Sequence, residues 1–225
     1  FRNADRLSRL TSDLLDLSRI ESGNYPLVFQ SVDVMDSANR VVRTLDETVT
    51  KKGLGIEIQQ GPTLHILADV QVLEQILLNL VENAVKYTPE GGRIIIRAER
   101  CELGCRVGIE DNGPGIAPEH HARLFERFYR ADAGRSRDMG GTGLGLSIVK
   151  HLVASMKGRV GMDPIDPHGS LFWKLTPGTR LTMSLTVWPG RWRRMISSLS
   201  SCFALGVLGT SMPPTSWARV PLTMM

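Results

Sequence analysis

Residues 70–87 spell a helix that is aliphatic on one side and polar on the other, and such a helix needs both an apolar partner and something polar to face. Ile76, Leu77, Leu80, Val81 and Ala84 hold one side, whereas Asn79, Glu82, Asn83 and Lys86 share an arc roughly 100° wide at the ~100° per residue of an α-helix. The apolar side calls for a sheet, and the other presents a wall of amides and charges. Two amides and a lysine suit a metal-bound phosphate, because amide oxygens ligate a hard cation and an ammonium offsets anionic oxygens. The competing reading, a solvated helix face, loses ground to what lies downstream.

Three further segments complete a nucleotide site. Asp111-Asn112-Gly113-Pro114-Gly115-Ile116 follows the strand-like run from Cys105 to Glu110. A carboxylate at a strand end beside glycines can accept a hydrogen bond from the exocyclic amine of adenine, with backbone close to the base. Alone it would be an ordinary Asn-Gly turn. Gly140-Gly141-Thr142-Gly143-Leu144-Gly145-Leu146-Ser147 runs into the helical pattern Ile148, Val149, Leu152, Val153. Such glycines expose backbone N–H groups at the positive end of a helix dipole, where phosphate oxygens are stabilised. No G-x-x-x-x-G-K-[ST] occurs, which excludes a P-loop, and the glycine spacing fails the G-x-G-x-x-G test for a dinucleotide fold. Leu124-Phe125-Glu126-Arg127-Phe128-Tyr129-Arg130 precedes a glycine-rich stretch from Ala131 to Gly141 with few apolar residues. An aromatic anchor before a segment too polar to bury itself reads as a hinged lid, with Arg127 and Arg130 as phosphate clamps.

In order, Asn79-x-x-x-Asn83-x-x-Lys86-Tyr87-Thr88, Asp111-x-Gly113-x-Gly115, Phe125-Glu126-Arg127-Phe128 and Gly141-x-Gly143-x-Gly145 resemble the N, G1, F and G2 boxes of sensor histidine kinases. Four boxes in sequence are far more specific than one. The resemblance covers about residues 1–176 and implies a Bergerat-type ATP fold: an α/β, two-layer α+β sandwich in which helices cover a mixed sheet, preceded by a helical stub. It implies phosphoryl transfer from Mg²⁺-ATP to a histidine nitrogen, then relay to an aspartate of a response regulator. On that basis Asn83 ligates Mg²⁺, Asn79 supports the metal and phosphate end, Lys86 contacts phosphate, Tyr87 lies against the nucleotide and Asp111 reads adenine. Gly113, Gly115, Gly141, Gly143 and Gly145 shape the pocket and lid hinges, and Ile116, Thr142, Leu144 and Leu146 complete the nucleotide-binding segments. Asn79, Glu82, Lys86 and Arg127 are the catalytic candidates; Glu82 lies on the polar arc, though the acid nearest the nucleophile in this family sits beside the acceptor histidine.

The N-terminus agrees. Leu7, Leu10, Leu14 and Leu17 recur at three, four and three residues, the seam of a coiled coil or antiparallel bundle, and the chain breaks at Ser22-Gly23-Asn24. Residues 6–23 resemble the second helix of the family's dimerisation and phosphotransfer hairpin, implying a homodimeric parent. The family's acceptor is a histidine followed by an acidic residue and, soon after, a proline. His65, His120, His121, His151 and His168 all lack that context. The expectation is a fragment: the histidine-bearing helix, and segments anchoring a cytoplasmic kinase in the inner membrane, lie outside this sequence.

Charge narrows the partners. The pI of about 9.2 comes from residues 178–225, which hold five arginines and no Lys, Asp, Glu or His; the remainder has 22 basic and 23 acidic side chains. That balance argues against nucleic-acid binding. Cys101, Cys105 and Cys202 make an odd number without zinc-like spacing, fitting a reducing compartment, and Cys101 and Cys105 read as packing residues flanking a hairpin turn. After Gly169-Ser170-Leu171-Phe172-Trp173-Lys174-Leu175-Thr176-Pro177, which resembles the family's last strand, come three of the four tryptophans and five of the nine methionines without a sustained period. This shift suggests out-of-frame or vector-derived translation. A competing interfacial anchor rests on the uncharged run Met195 to Met212 behind Arg191-Trp192-Arg193-Arg194.

Three regions follow: 1–23, a partial hairpin helix; 24–177, the ATP-binding domain; and 178–225, an atypical tail. Helices are expected at Val34 to Lys52, Val70 to Tyr87 and about Gly143 to Met156. Strands are expected at Leu54 to Ile58, Leu64 to Leu67, Arg93 to Cys101, Arg106 to Asp111, Arg159 to Met162 and Ser170 to Leu175. Two rival classes remain. A related ATPase of the topoisomerase or chaperone type would carry a water-activating glutamate at Asn79. A non-catalytic module would hold nucleotide or a partner without transfer.

Overall fold

The computed structural model describes residues 2–22, 26–59, 63–101, 104–131, 141–166 and 168–177. Its frame is the hairpin of β4 (Arg93–Cys101) and β5 (Gly104–Asp111), where Ile96 faces Ile109 and Ala98 faces Val107 across the antiparallel ladder. β7 (Ser170–Pro177) pairs antiparallel with the far edge of β5, and β6 (Arg159–Pro164) pairs with β7. On the other flank β2 (Gly55–Gln59) runs parallel to β4, giving a mixed five-stranded sheet in the order β2-β4-β5-β7-β6. β1 (Gln30–Asp33) and β3 (His65–Ala68) form a separate antiparallel pair.

Alternation sorts the two faces of the sheet. Ile94, Ile96, Val107, Ile109 and Phe172 point to one side and are buried in a core shared with α2 (Val34–Thr44), α4 (Val70–Tyr87) and α6 (Gly145–Ser155). The opposite side carries ion pairs: Arg97 with Glu110, and Arg106 with Asp163 at 2.9 Å, the Arg106 guanidinium lying 4.9 Å from the Trp173 ring centre. The result is the expected two-layer sandwich. One residue breaks the pattern: Lys174 sits on the apolar side, fully buried, its Nζ without a hydrogen-bond partner.

The polar-striped helix is fixed at both ends. The Asp69 carboxylate caps α4, accepting from Val72 N at 3.1 Å, and its other oxygen accepts from Val28 N at 2.8 Å. At the C-terminal end the Lys52 ammonium donates to the carbonyls of Val85, Lys86 and Thr88 at 2.7, 3.0 and 2.6 Å. A cation on unpaired terminal carbonyls offsets the negative pole of the helix.

Several expectations shift. The single helix expected over Val34 to Lys52 divides at Leu45, whose ψ of 2° ends α2 before α3 (Asp46–Lys51) starts. β1 has only Val32 buried and no alternating signal of its own, so pairing with β3 makes it a strand. The short α5 (Pro118–His121) was likewise not expected. The leucine seam of α1 (Arg2–Glu21) splits: Leu17 and Ile20 are buried in the domain core, where α1 meets α6, and Leu7 and Leu14 face outward with Leu15. Cys105 is buried beside the β4–β5 turn, and burial pushes its thiol to about 12, which makes it a packing residue. Cys202 and the rest of the tail lie outside the described residues. Among those described, no helix is long and apolar enough to cross a membrane.

Candidate functional site

One cavity of about 560 Å³ opens between α4, the end of β5 and the start of α6, a volume within the ~300–1,000 Å³ of small-molecule sites. Asn79, Glu82, Asn83, Lys86 and Tyr87 line it from α4, as their shared arc requires. Asp111, Gly115 and Ile116 enter from the β5 end, Arg130 from the chain beyond α5, and Gly141, Thr142, Gly143, Gly145 and Leu146 from the glycine segment.

Lys86 and Arg130 give the cavity its electrostatic character. Burial first, and then the positive charge of Arg130, hold the Lys86 ammonium below its ordinary pKa. Arg130 Nη2 is buried with no hydrogen-bond partner. Two cations drawn to one cavity, one with an orphaned donor, make a site that an anion would stabilise. The carboxylates Glu82 and Asp13 share the lining.

Asp111 lines the same cavity from the end of β5. It is 6% exposed, and burial raises its carboxyl to about 6 against hydrogen bonds from the Gly113 N–H, at 2.9 Å, and the Ser170 backbone. Gly113 therefore positions Asp111 from behind and does not line the cavity. One carboxylate oxygen is occupied by the Gly113 amide, leaving acceptor capacity for a ligand amine.

The glycines act mainly by clearance. A Cβ on Gly141 would stand 2.3 Å from Lys86 Nζ, and one on Gly145 would stand 2.8 Å from Asn79 Oδ1. Asn79 Nδ2 donates to the Gln75 carbonyl at 2.9 Å, which turns its oxygen toward the start of α6. Gly143 is a different case, with φ at +76° and a Cβ there only 3.0 Å from the Phe128 backbone. There the Gly143 carbonyl accepts from Phe128 N at 2.9 Å, and Phe128 itself holds φ at +62°. A left-handed aromatic residue costs about 1–2 kcal/mol and persists only where neighbours enforce it.

Besides Gly113, two expected residues fall elsewhere. Leu144 is fully buried in the core and anchors the first turn of α6 from beneath. Arg127 lies outside the cavity lining, its guanidinium paired with Glu21 of α1, whose same oxygen is 3.2 Å from His151 Nε2. Residues 132–140, most of the expected lid, lie outside the described residues. Conversely Asp13, His120, Tyr129, Ser170 and Phe172 line the cavity without having been anticipated. Asp13 gives no local signal, since it reaches the site by accepting from Thr142 Oγ1 at 2.9 Å across 129 residues. Tyr129 sits inside the aromatic motif and was legible there.

Comparison with known proteins places this arrangement. Residues 68–188 match the family described as histidine kinase-, DNA gyrase B- and HSP90-like ATPase. The phosphate regulon sensor protein PhoR of Pseudomonas aeruginosa is 36% identical over 172 residues, 76% of this chain and 39% of that protein. The sensor-like histidine kinase SenX3 of Mycobacterium bovis is 33% identical over 174 residues, 77% of this chain and 42% of that protein. The chain thus spans about two fifths of the length of these curated relatives. Among solved structures, full-length ShkA in complex with AMPPNP superposes with a TM-score of 0.67 at 34% identity, covering 80% of this chain and 38% of ShkA.

Proposed function

Because this chain belongs to the histidine kinase-, DNA gyrase B- and HSP90-like ATPase family and carries the ATP-binding domain of its sensor histidine kinases, we propose that it is the catalytic part of a kinase that moves the γ-phosphoryl group of ATP to a histidine. The observation carrying this reading is convergence: four segments distant in sequence meet at one cavity whose lining holds a buried carboxylate and two cations.

Phosphoryl transfer has a loose transition state, so protein groups chiefly position the triphosphate and offset its charge. Asp111 accepts the exocyclic amine of adenine, and Tyr87 and Ile116 flank the nucleotide. Lys86 and Arg130 meet phosphate oxygens, as do the N–H groups at the start of α6 in Gly143-Leu144-Gly145. Asn83 would hold Mg²⁺ through its amide oxygen, with Asn79 and Glu82 beside it, and the ion would neutralise phosphate charge. This donor set fits, because an amide oxygen is a hard donor and Mg²⁺ characteristically binds through few protein oxygens plus substrate phosphates. An amide at Asn79 cannot take a proton from water, which favours transfer to a protein nucleophile over hydrolysis. The acceptor histidine belongs to the companion helix of a hairpin whose second helix is α1. The parent is a membrane-anchored homodimer with a cytoplasmic catalytic part, and a response regulator receives the phosphoryl group.

The test combines this chain with a separate histidine-bearing hairpin and γ-labelled ATP. Label should appear on the hairpin when Mg²⁺ is present, and Asn83→Ala should abolish both transfer and Mg²⁺-dependent binding of a fluorescent ATP analogue. Tight Mg²⁺-dependent binding by Asn83→Ala would remove the metal assignment, and vigorous ATP hydrolysis without transfer would favour the related ATPases.

A further inference from the structure

We infer that His120 is a positioning residue that, by holding Tyr129, sets the neighbouring Arg130 toward the phosphate end of the cavity. This rests on the reading of the cavity as an ATP site, and it assigns a task to a histidine that the reaction itself does not use.

The chain from Phe128 to Arg130 is held against two unfavourable tendencies. Phe128 occupies the left-handed region, which an aromatic residue leaves unless it is restrained. Arg130 shares the cavity lining with Lys86, whose ammonium its charge disfavours, and like charges push the guanidinium out toward water. Two ties oppose this. On one side Phe128 N donates to the Gly143 carbonyl at 2.9 Å. On the other the Tyr129 hydroxyl lies 2.7 Å from His120 Nδ1, a hydrogen bond in either tautomer, while the Arg123 guanidinium covers the Tyr129 ring at 4.3 Å.

His120 can serve as an anchor because its own segment is fixed. The neighbouring His121 Nε2 bonds the Ile116 carbonyl at 2.8 Å, and Leu124, one turn on, is buried. Tyr129 therefore closes a bridge from this fixed segment to the residue preceding Arg130. Cutting the bridge leaves the strained backbone of Phe128 and the Lys86–Arg130 repulsion free to swing Arg130 away. The hydrogen bonds that hold Asp111 are not among these contacts, so the loss falls more on the phosphates than on adenine.

The experiment is a calorimetric titration of the full 225-residue chain with Mg²⁺-ATP and, separately, with adenosine. His120→Ala should bind ATP about fivefold more weakly, the equivalent of one lost hydrogen bond, and should lose clearly less for adenosine, which has no phosphates for Arg130 to meet. Tyr129→Phe keeps the ring and its Arg123 contact, so it should show the same selective loss, and the double variant should lose no more than either alone. His120→Gln, which still offers a partner to the hydroxyl, should recover most of the affinity. Unchanged ATP binding by His120→Ala overturns the inference, as do equal losses for ATP and adenosine or additive losses in the double variant. No ATP binding by the parent chain would overturn the functional reading instead, so the two failures are distinct.

Discussion

Lys174 offers the most direct check on the energetics, because a buried ammonium without a partner opposes the fold that contains it. Burial drives its pKa from the ordinary 10.5 down to about 8, with only the Cys105 thiol opposing, and that thiol stays protonated up to about 12. At about 1.4 kcal/mol per pKa unit, this displacement corresponds to about 3 kcal/mol of lost stability. The sign follows from proton counts. Below about 8 both folded and unfolded chains carry the charge and the penalty is full; between about 8 and 10.5 the unfolded chain binds more protons, so stability rises with pH; above 10.5 the penalty is gone. Lys174→Met keeps the length of the side chain and removes the charge. Urea denaturation at about pH 7 should show it more stable than the parent by about 3 kcal/mol, a large share of the ~5–15 kcal/mol that holds a domain together. The gap should shrink to under about 1 kcal/mol near pH 10.5, where the parent's lysine is neutral in the folded chain and half protonated in the unfolded one. A variant no more stable at neutral pH, or a gap that does not change with pH, would refute the argument.

Asp111→Asn should weaken discrimination between adenine and guanine nucleotides, because a site built around one hydrogen bond rejects ligands that cannot make it. Competition binding should also show ATP affinity of the parent chain falling as pH drops through about 6, where the Asp111 carboxylate takes up a proton, whereas the variant stays flat. Gly143→Ala places a Cβ 3.0 Å from the Phe128 backbone at a φ of +76°, so thermal unfolding should report a loss of about 1–2 kcal/mol together with weaker ATP binding. An unaltered midpoint and affinity would show that this crossing yields easily.

What could be read from sequence was what lies close along the chain. The 18 residues of α4 start after a carboxylate that caps them, and their polar stripe became the cavity wall because helical periodicity alone sets that geometry. The β4–β5 hairpin was legible for the same reason, its aliphatic residues clustering over a few positions. Contacts between remote segments were not. Lys52 gives no hint that it will close the end of a helix 33 residues away, and Val32 alone cannot announce a strand that exists only through β3. Arg127 reads as a phosphate clamp from its motif, yet Glu21, 106 residues earlier, competes for its guanidinium and holds it. His120 lacked any acceptor-like context, and only the fold brings it to Tyr129.

The docking of α1 has a mechanical corollary. Asp13 and Glu21 stand eight residues apart, so at ~100° per residue they project within about 80° of one another along the same side of the helix. A twist of that rod by a single residue would therefore unhook Thr142, Arg127 and His151 together. Torque applied at the amino-terminal end would therefore reach Thr142 in the cavity wall without bending any connecting segment.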